Sequence, residues 1–211
     1  MLESNQVDGI ISGSHNLGIS DYDRVTAPII SFDRNLSPSI PVVSSDNYAG
    51  GTLAAETLVK SGAKKIIMIT GNDNSNSPTG LRHAGFASIL PTAPIINVSS
   101  DFSPIRKEME IKNILKDKKP DAIFASDDLT AILIMKVAQE LGTNIPEELK
   151  VIGYDGTYFV ENYYPQLATI QQPLKDIACL LVDLLLRKIE GEKVPTTGYF
   201  LPVHLSSGKS I

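Results

Sequence analysis

The chain has 211 residues, 42% hydrophobic and 20% charged, with a formal net charge of −5 and a sequence pI near 5.2. Such a chain makes one large or two small globular domains with a real core. The acidic balance argues against a free-standing nucleic-acid binder, which carries a basic patch, and no apolar run approaches the length of a membrane span.

The N-terminal MLESNQVDG has neither the basic region nor the apolar region of a signal peptide, so a cytoplasmic location is expected. The single cysteine, Cys179, lies in a strongly apolar helical run and is expected to be a buried structural thiol. His15, His83 and His204 are scattered and there is no CxxC or HExxH, so no metal site is expected, and no cofactor either.

Taken in order, VDGIIS (7–12), PIISF (28–32) and IPVVS (40–44) read as short strands. From Asn47 the pattern changes to a helix that places Leu53, Ala54, Thr57 and Leu58 on one face and ends at Gly62. KKIIMIT is a continuous apolar run, as expected of a buried parallel strand. An Asn-, Ser- and Pro-rich loop follows, then a helix over 80–90, a strand in APIINVS, and a helix beginning near Pro104.

The stretch 120–155 supplies strand, helix and strand: AIFAS, an amphipathic helix, and KVIGY. The helix's apolar face at 131–138 reads as core or subunit interface. Tyr158–Tyr164 predicts a short helix ended by Pro165, LATIQQ another strand, and Leu174–Ile189 a long apolar helix stopped by Gly191. GYFLPVHL predicts a last strand in which Pro202 marks an edge or a bend. Strands alternating with helices of this length indicate an α/β fold with a mainly parallel sheet.

Polar residues gather where the strands stop. Asp46 closes VVSSD, Asp127 and Asp128 close AIFAS, and Asp155 closes VIGY. Arg82 lies early in the helix after the Asn-rich loop, and Phe102 opens the helix after IINVS. In open α/β sheets ligands bind at the carboxyl ends of the strands. Carboxylates, a guanidinium and an aromatic face are what a polyol needs.

Each residue also has a structural role open to it. Asp46 and Asp127 serve equally well as helix caps or as ligands, and Asp128 reads as the cap of the following helix. Asp155 before Gly156 fits an Asx turn, Arg82 a solvated helix position, and Phe102 the core. Enzyme signatures are weaker. GSHNLG lacks dinucleotide-fingerprint spacing, GNDNSNSPTG lacks the P-loop lysine, and there is no G-x-S-x-G elbow.

VDGII, PIISFDR, VSSDNYAGGTLAAETLVKSGAKKIIMITG, LRHAGF, PDAIFASDDLTA, NIPEELKVIGYDGT and LATIQQPL resemble, in order and spacing, the lactose/galactose-repressor family. The resemblance covers nearly the whole chain from Val7. It implies the effector-binding core of a bacterial transcriptional regulator, with the type I periplasmic-binding-protein fold. That fold has two Rossmann-like parallel-sheet subdomains with a ligand cleft between them.

On that mapping the N-terminal subdomain holds 1–62 and 174–190, and the C-terminal one holds 63–170 and part of 191–211. The first subdomain is expected to be incomplete, and no DNA-binding domain is expected within the chain. A truncated regulator is the expectation, reaching operator DNA only through a domain not in these residues. The resemblance makes Arg82, Asp155 and Phe102 effector ligands. Asp127 stands where the family usually has Asn, and Leu174 where some members have an aromatic. It further implies no catalysis, a sugar or related polar effector, and a homodimer formed with help from 128–141 and 158–164. The alternative is a periplasmic-type sugar carrier of a transporter.

Overall fold

The computed structural model describes residues 7–13, 22, 25–71, 77–98 and 104–211. Among these, strands β1 (Ile10–Ser12), β2 (Ile29–Phe32) and β3 (Val42–Ser45) precede helix α1 (Asn47–Lys60). Then come β4 (Ile66–Thr70), α2 (Pro78–Ile89), β5 (Ile95–Asn97), α3 (Pro104–Lys118) and β6 (Ala122–Ala125). They are followed by α4 (Asp128–Glu140), β7 (Lys150–Asp155), α5 (Tyr158–Tyr163) and β8 (Ala168–Gln171). The chain ends with α6 (Leu174–Ile189), β9 (Tyr199–Leu201) and β10 (His204–Ser206). No helix among the described residues is long and apolar enough to cross a membrane.

Two compact units result, one from Met1–Asp46 and Pro173–Pro202, the other from Asn47–Gln172 and Val203–Ile211. In the first, β1, β2, β3 and β9 form a parallel sheet in that order. Ile30 and Val43 point to one face, where α6 covers them with Ile177, Leu181 and Leu184. Ile29 points to the other, against Leu36 and Ile40. Because α6 buries only that one stripe, Cys179 on its far side is exposed, not buried as the apolar run suggested.

The second unit carries a six-stranded sheet in the order β10-β8-β7-β6-β4-β5, parallel except for β10. The inner strands β4, β6, β7 and β8 are buried on both faces, which explains why they read as unbroken apolar runs, whereas the edge strands β5 and β10 are partly exposed. Ile67, Ile69, Ile123, Ala125 and Val151 face α3 and α4, meeting Ile111, Leu115, Ile134 and Val137. The alternate residues Ile66, Met68, Phe124, Ile152 and Tyr154 face α1 and α2, meeting Ala54, Ala55, Leu58 and Phe86.

Two boundaries differ from the sequence reading. The division falls after Asp46, not near residue 62, because α1 buries its apolar stripe against the second sheet. The last predicted strand is two strands. Pro202 breaks it, so that β9 extends the first sheet and β10 the second.

The β4–α2–β5 connection moves outward in one direction along the second sheet, and α3 returns the chain to β6 on the other side of β4. The carboxyl ends of β4 and β6 therefore flank a topological switch point, where open α/β sheets bind ligands.

Candidate functional site

Arg82 is brought to this switch point by α2, whose start is fixed by Ser77. The Ser77 side chain caps the helix by accepting from the Gly80 N–H at 3.0 Å, and Pro78 follows in its first turn. Although charged, Arg82 is only 6% exposed. Its Nε donates to Asn47 Oδ1 at 2.8 Å, and its Nη1 donates to the Ser126 carbonyl at the end of β6 at 2.6 Å. The guanidinium carbon lies 3.6 Å from the centre of the Tyr154 ring. Two edges and one face of the planar fork are thus held by the protein.

Helices α1 and α2 approach closely enough to make the Asn47–Arg82 bond because they cross at glycines. A Cβ on Gly51 would lie 2.1 Å from the Arg82 carbonyl oxygen, and one on Gly85 would lie 2.0 Å from that of Tyr48. Beneath them Phe86, Phe124 and Tyr154 make a run of aromatic rings, with centroids 5.9 and 6.4 Å apart.

Asp155 ends β7 with its Oδ1 3.7 Å from Arg82 Nη2, an ion pair too long for a direct hydrogen bond. Gln172 Nε2 donates to the same Oδ1 at 2.8 Å, and the Gln172 N–H donates to the Asp155 carbonyl at 3.0 Å. Asp155 has φ 122°, a backbone region that costs a non-glycine residue about 1–3 kcal/mol and that clusters at functional sites. A neighbouring bond, from the Gly156 N–H to Asp128 Oδ2 at 2.8 Å, helps hold this turn.

Of the two adjacent aspartates, Asp127 takes the cap that was one of its two expected roles, and Asp128 is not the cap expected from sequence. Asp127, not Asp128, is the N-cap of α4. Its Oδ1 accepts from the Thr130 N–H at 2.7 Å, and its Oδ2 accepts from the Thr130 hydroxyl at 2.7 Å and the Ser126 hydroxyl at 3.3 Å. Asp128 is buried and bridges strand ends, accepting from Gly156 N–H and from the Thr169 hydroxyl at 2.6 Å. Burial pushes its carboxyl up from 3.8 to about 6, partly offset by the Thr169 and Gly156 bonds and reinforced by the charges of Asp155 and Asp127. Gly153 makes room for it, since a Cβ there would lie 2.2 Å from Asp128 Oδ1.

Of the residues singled out from sequence, the structure brings Arg82 and Asp155 together, with Asp127 adjoining Ser126 beside them. Asp46 is the last residue of the first unit, its N–H donating to the Leu201 carbonyl at 2.8 Å. Phe102 lies outside the described residues. Sequence reasoning missed Asn47, Tyr154 and Gln172. The first two were read as parts of a helix and a strand, and only the mid-strand Gly153 hinted that something polar approaches closely there. Among the described residues no cluster of His, Cys, Asp and Glu could hold a metal ion.

A family model described as periplasmic binding protein-like domain matches residues 55–211. The chain is 64% identical over 211 residues to a sucrose operon repressor of Streptococcus mutans serotype c, covering 100% of this chain and 66% of that protein. It is 51% identical over 212 residues to a sucrose operon repressor of Lactococcus lactis subsp. lactis, covering 99% of this chain and 65% of the relative. The chain therefore spans just under two thirds of the length of these curated relatives. Among solved structures, a periplasmic binding protein/LacI transcriptional regulator from Alkaliphilus metalliredigens QYMF, complexed with D-xylulofuranose, superposes with a TM-score of 0.83. It is 30% identical, with 100% of this chain and 80% of that one covered. On the extent of the domain match and the shared fold, the chain belongs to the periplasmic binding protein-like domain family, within its lactose-repressor-type regulators.

Proposed function

We propose that the chain is the effector-binding core of a transcriptional repressor and that its effector is a sugar, with sucrose or a sucrose derivative the first candidate. The observation that carries this reading is the Arg82–Asp155 pair at the sheet's switch point. A buried, pre-oriented fork of donors stands 3.7 Å from a carboxylate acceptor held in strained backbone. A sugar offers neighbouring hydroxyls that each donate and accept, so one can donate to Asp155 while the next accepts from Arg82. Neither group needs to reorganise to receive it, which reduces the cost of binding.

Asp127 completes the proposed set of ligands in the second unit, serving with the lone pairs its capping bonds leave. The assignment is binding without turnover, since the relatives are repressors and Arg82 is committed to holding. The names of those relatives and the sugar in the Alkaliphilus structure support a sugar effector. A cytoplasmic homodimer whose operator affinity responds to the sugar belongs to the same proposal. The effector acts by binding one state of the regulator better than the other.

Calorimetry with sucrose, fructose, ribose and cellobiose tests the site. Arg82→Lys keeps the charge but loses the fork, and Asp155→Ala loses the acceptor. Each is expected to weaken the sugar bound by the native chain by about 2–4 kcal/mol, and because Arg82 is buried among its partners only Asp155→Ala is expected to leave the unfolding temperature nearly unchanged. Unchanged affinity in both variants would sink the assignment.

A further inference from the structure

Near its start, α3 sends a cation to the amino end of α4. The half-buried Lys107 donates from Nζ to the Thr130 hydroxyl at 2.7 Å. That hydroxyl belongs to a fully buried residue and donates in turn to Asp127 Oδ2 at 2.7 Å. The direction of this relay is fixed. An ammonium only donates, so the Thr130 oxygen accepts from it and directs its one proton to Asp127. A lysine is out of place at a helix N-terminus, where the free N–H groups already carry partial positive charge. The other lysine between these helices, Lys136, has carboxylate partners, Glu108 of α3 at 2.9 Å and Glu140 of its own helix at 3.6 Å. Lys107 instead reaches the carboxylate of Asp127 through a hydroxyl.

From this relay we propose that Lys107 is a positioning residue for the effector, acting on Asp127 through Thr130. The inference rests on the sugar-binding reading above, in which Asp127 is a ligand. A carboxylate offers about four lone-pair sites. Asp127 Oδ2 accepts from the Thr130 and Ser126 hydroxyls and Oδ1 from the Thr130 N–H, so the remaining site lies on Oδ1. A sugar hydroxyl donating there needs the carboxylate plane held in one orientation. On Oδ2 the shorter of the two bonds is the one from Thr130. A hydroxyl that accepts from a cation is polarised into a stronger donor. Lys107 thereby tightens the Thr130 bond, fixes the plane and aims the free lone pair of Oδ1, without touching the sugar.

The test titrates sucrose, with fructose, ribose and cellobiose in parallel, into the 211-residue chain and its variants. Lys107→Met is expected to lose about fivefold in affinity, and Thr130→Val, which removes the hydroxyl at nearly constant shape, about tenfold. Lys107→Arg keeps a cationic donor and is expected to recover most of the loss. The double variant Lys107→Met with Thr130→Val is expected to lose no more than Thr130→Val alone, because a lysine that acts through the hydroxyl has nothing left to act on. Lys136→Met cuts the other polar tie between α3 and α4 and is expected to bind like the native chain. A loosened helix contact predicts neither of the last two results.

Arg82→Lys is the control for the sugar site itself. Native affinity in Lys107→Met or in Thr130→Val, alongside a weakened Arg82→Lys, overturns this inference and leaves the site standing. So do losses that add in the double variant, a Lys107→Arg as weak as Lys107→Met, or a Lys136→Met as weak as either. If Thr130→Val does not fold, the three lysine variants carry the test, since the Lys107 and Lys136 side chains both reach solvent. Sugar binding that is absent from the native chain, or untouched in Arg82→Lys, overturns the site and this inference with it.

Discussion

Asp127 and Asp128 differ by one position and by almost everything else. The chain direction at the end of β6 turns Asp127 outward to cap α4, and the first helical turn then carries Asp128 inward, where it is 2% exposed. Adjacent aspartates before a helix give no local sign of which is the cap. The partners that decide it, Gly156 and Thr169, lie 28 and 41 residues away. Asp155 and Arg82, by contrast, were legible, because a carboxylate at a strand end and an arginine in the next layer's helix suffice to suggest a polar site. The buried aspartate has a measurable consequence. Its carboxyl titrates near 6 in the fold against an ordinary 3.8, so the folded state holds this proton more tightly than the unfolded chain. Below about pH 4 both states are protonated and the group imposes no cost. As pH rises from about 4 to 6 the unfolded chain releases its proton first, and the fold loses up to roughly 3 kcal/mol from this one group. Asp128→Asn removes that titration and keeps a bond to each partner, with the Thr169 hydroxyl turned to accept. Urea unfolding between about pH 4 and 7 is expected to show the variant gaining on the native chain by up to that amount. A difference that stays flat with pH rules the account out.

The periodicity of α1 and α2 was readable from the sequence, but the closeness of their crossing was not. Gly51 and Gly85 weaken helices by intrinsic preference, and their presence makes sense only against the partner helix, while Gly50 makes room for the Tyr154 ring. Gly51 lies against the Arg82 backbone itself, and Gly85 against that of Tyr48, one residue after Asn47. A methyl group at either site has no flexible side chain to displace and must push the helices apart. Gly51→Ala and Gly85→Ala are each expected to lower stability by about 1–3 kcal/mol, at the upper end of that range because both contacts are backbone. The same displacement lengthens the Asn47–Arg82 bond, so sugar affinity is expected to fall together with the unfolding temperature. Affinity that stays native in a destabilised Gly85→Ala separates the helix crossing from the site. The C-terminal strands carry the same lesson. Pro202 was visible as a break, but that its two sides join different sheets is a property of the pairing partners Val43–Ser45 and Thr169–Gln171, which no local pattern encodes.

For the molecule as a whole, the proposed homodimer can be placed by asking which apolar surface the fold leaves open. Helix α4 was read from sequence as core or interface, and most of its apolar face is core: Ala131, Ile134, Val137 and Ala138 are buried, with Ile132, Leu133 and Met135 packed beside them. Only Leu129, 70% exposed, projects from its first turn. Helix α5 is different. Tyr158 and Tyr163 are 77% and 69% exposed, and Phe159, 48% exposed, packs its ring on Tyr163 at 5.2 Å and on Tyr164 at 5.7 Å. Clustered exposed tyrosines and phenylalanine are the composition of interface centres, where broad, stiff rings bury much area at little cost in side-chain entropy. Helix α6 exposes a competing stripe in the first unit, with Val182, Leu186 and Ile189 at 49%, 53% and 40%. The α5 surface is the expected dimer face, because aromatic anchors dominate association more than exposed aliphatics do. Tyr158→Lys combined with Tyr163→Lys is therefore expected to weaken self-association by at least about 100-fold, or roughly 3 kcal/mol, while circular dichroism stays native. Val182→Lys with Leu186→Lys is expected to leave it unchanged. Sedimentation equilibrium separates the two surfaces, and a dimer lost in the α6 pair but kept in the α5 pair moves the interface to the first unit.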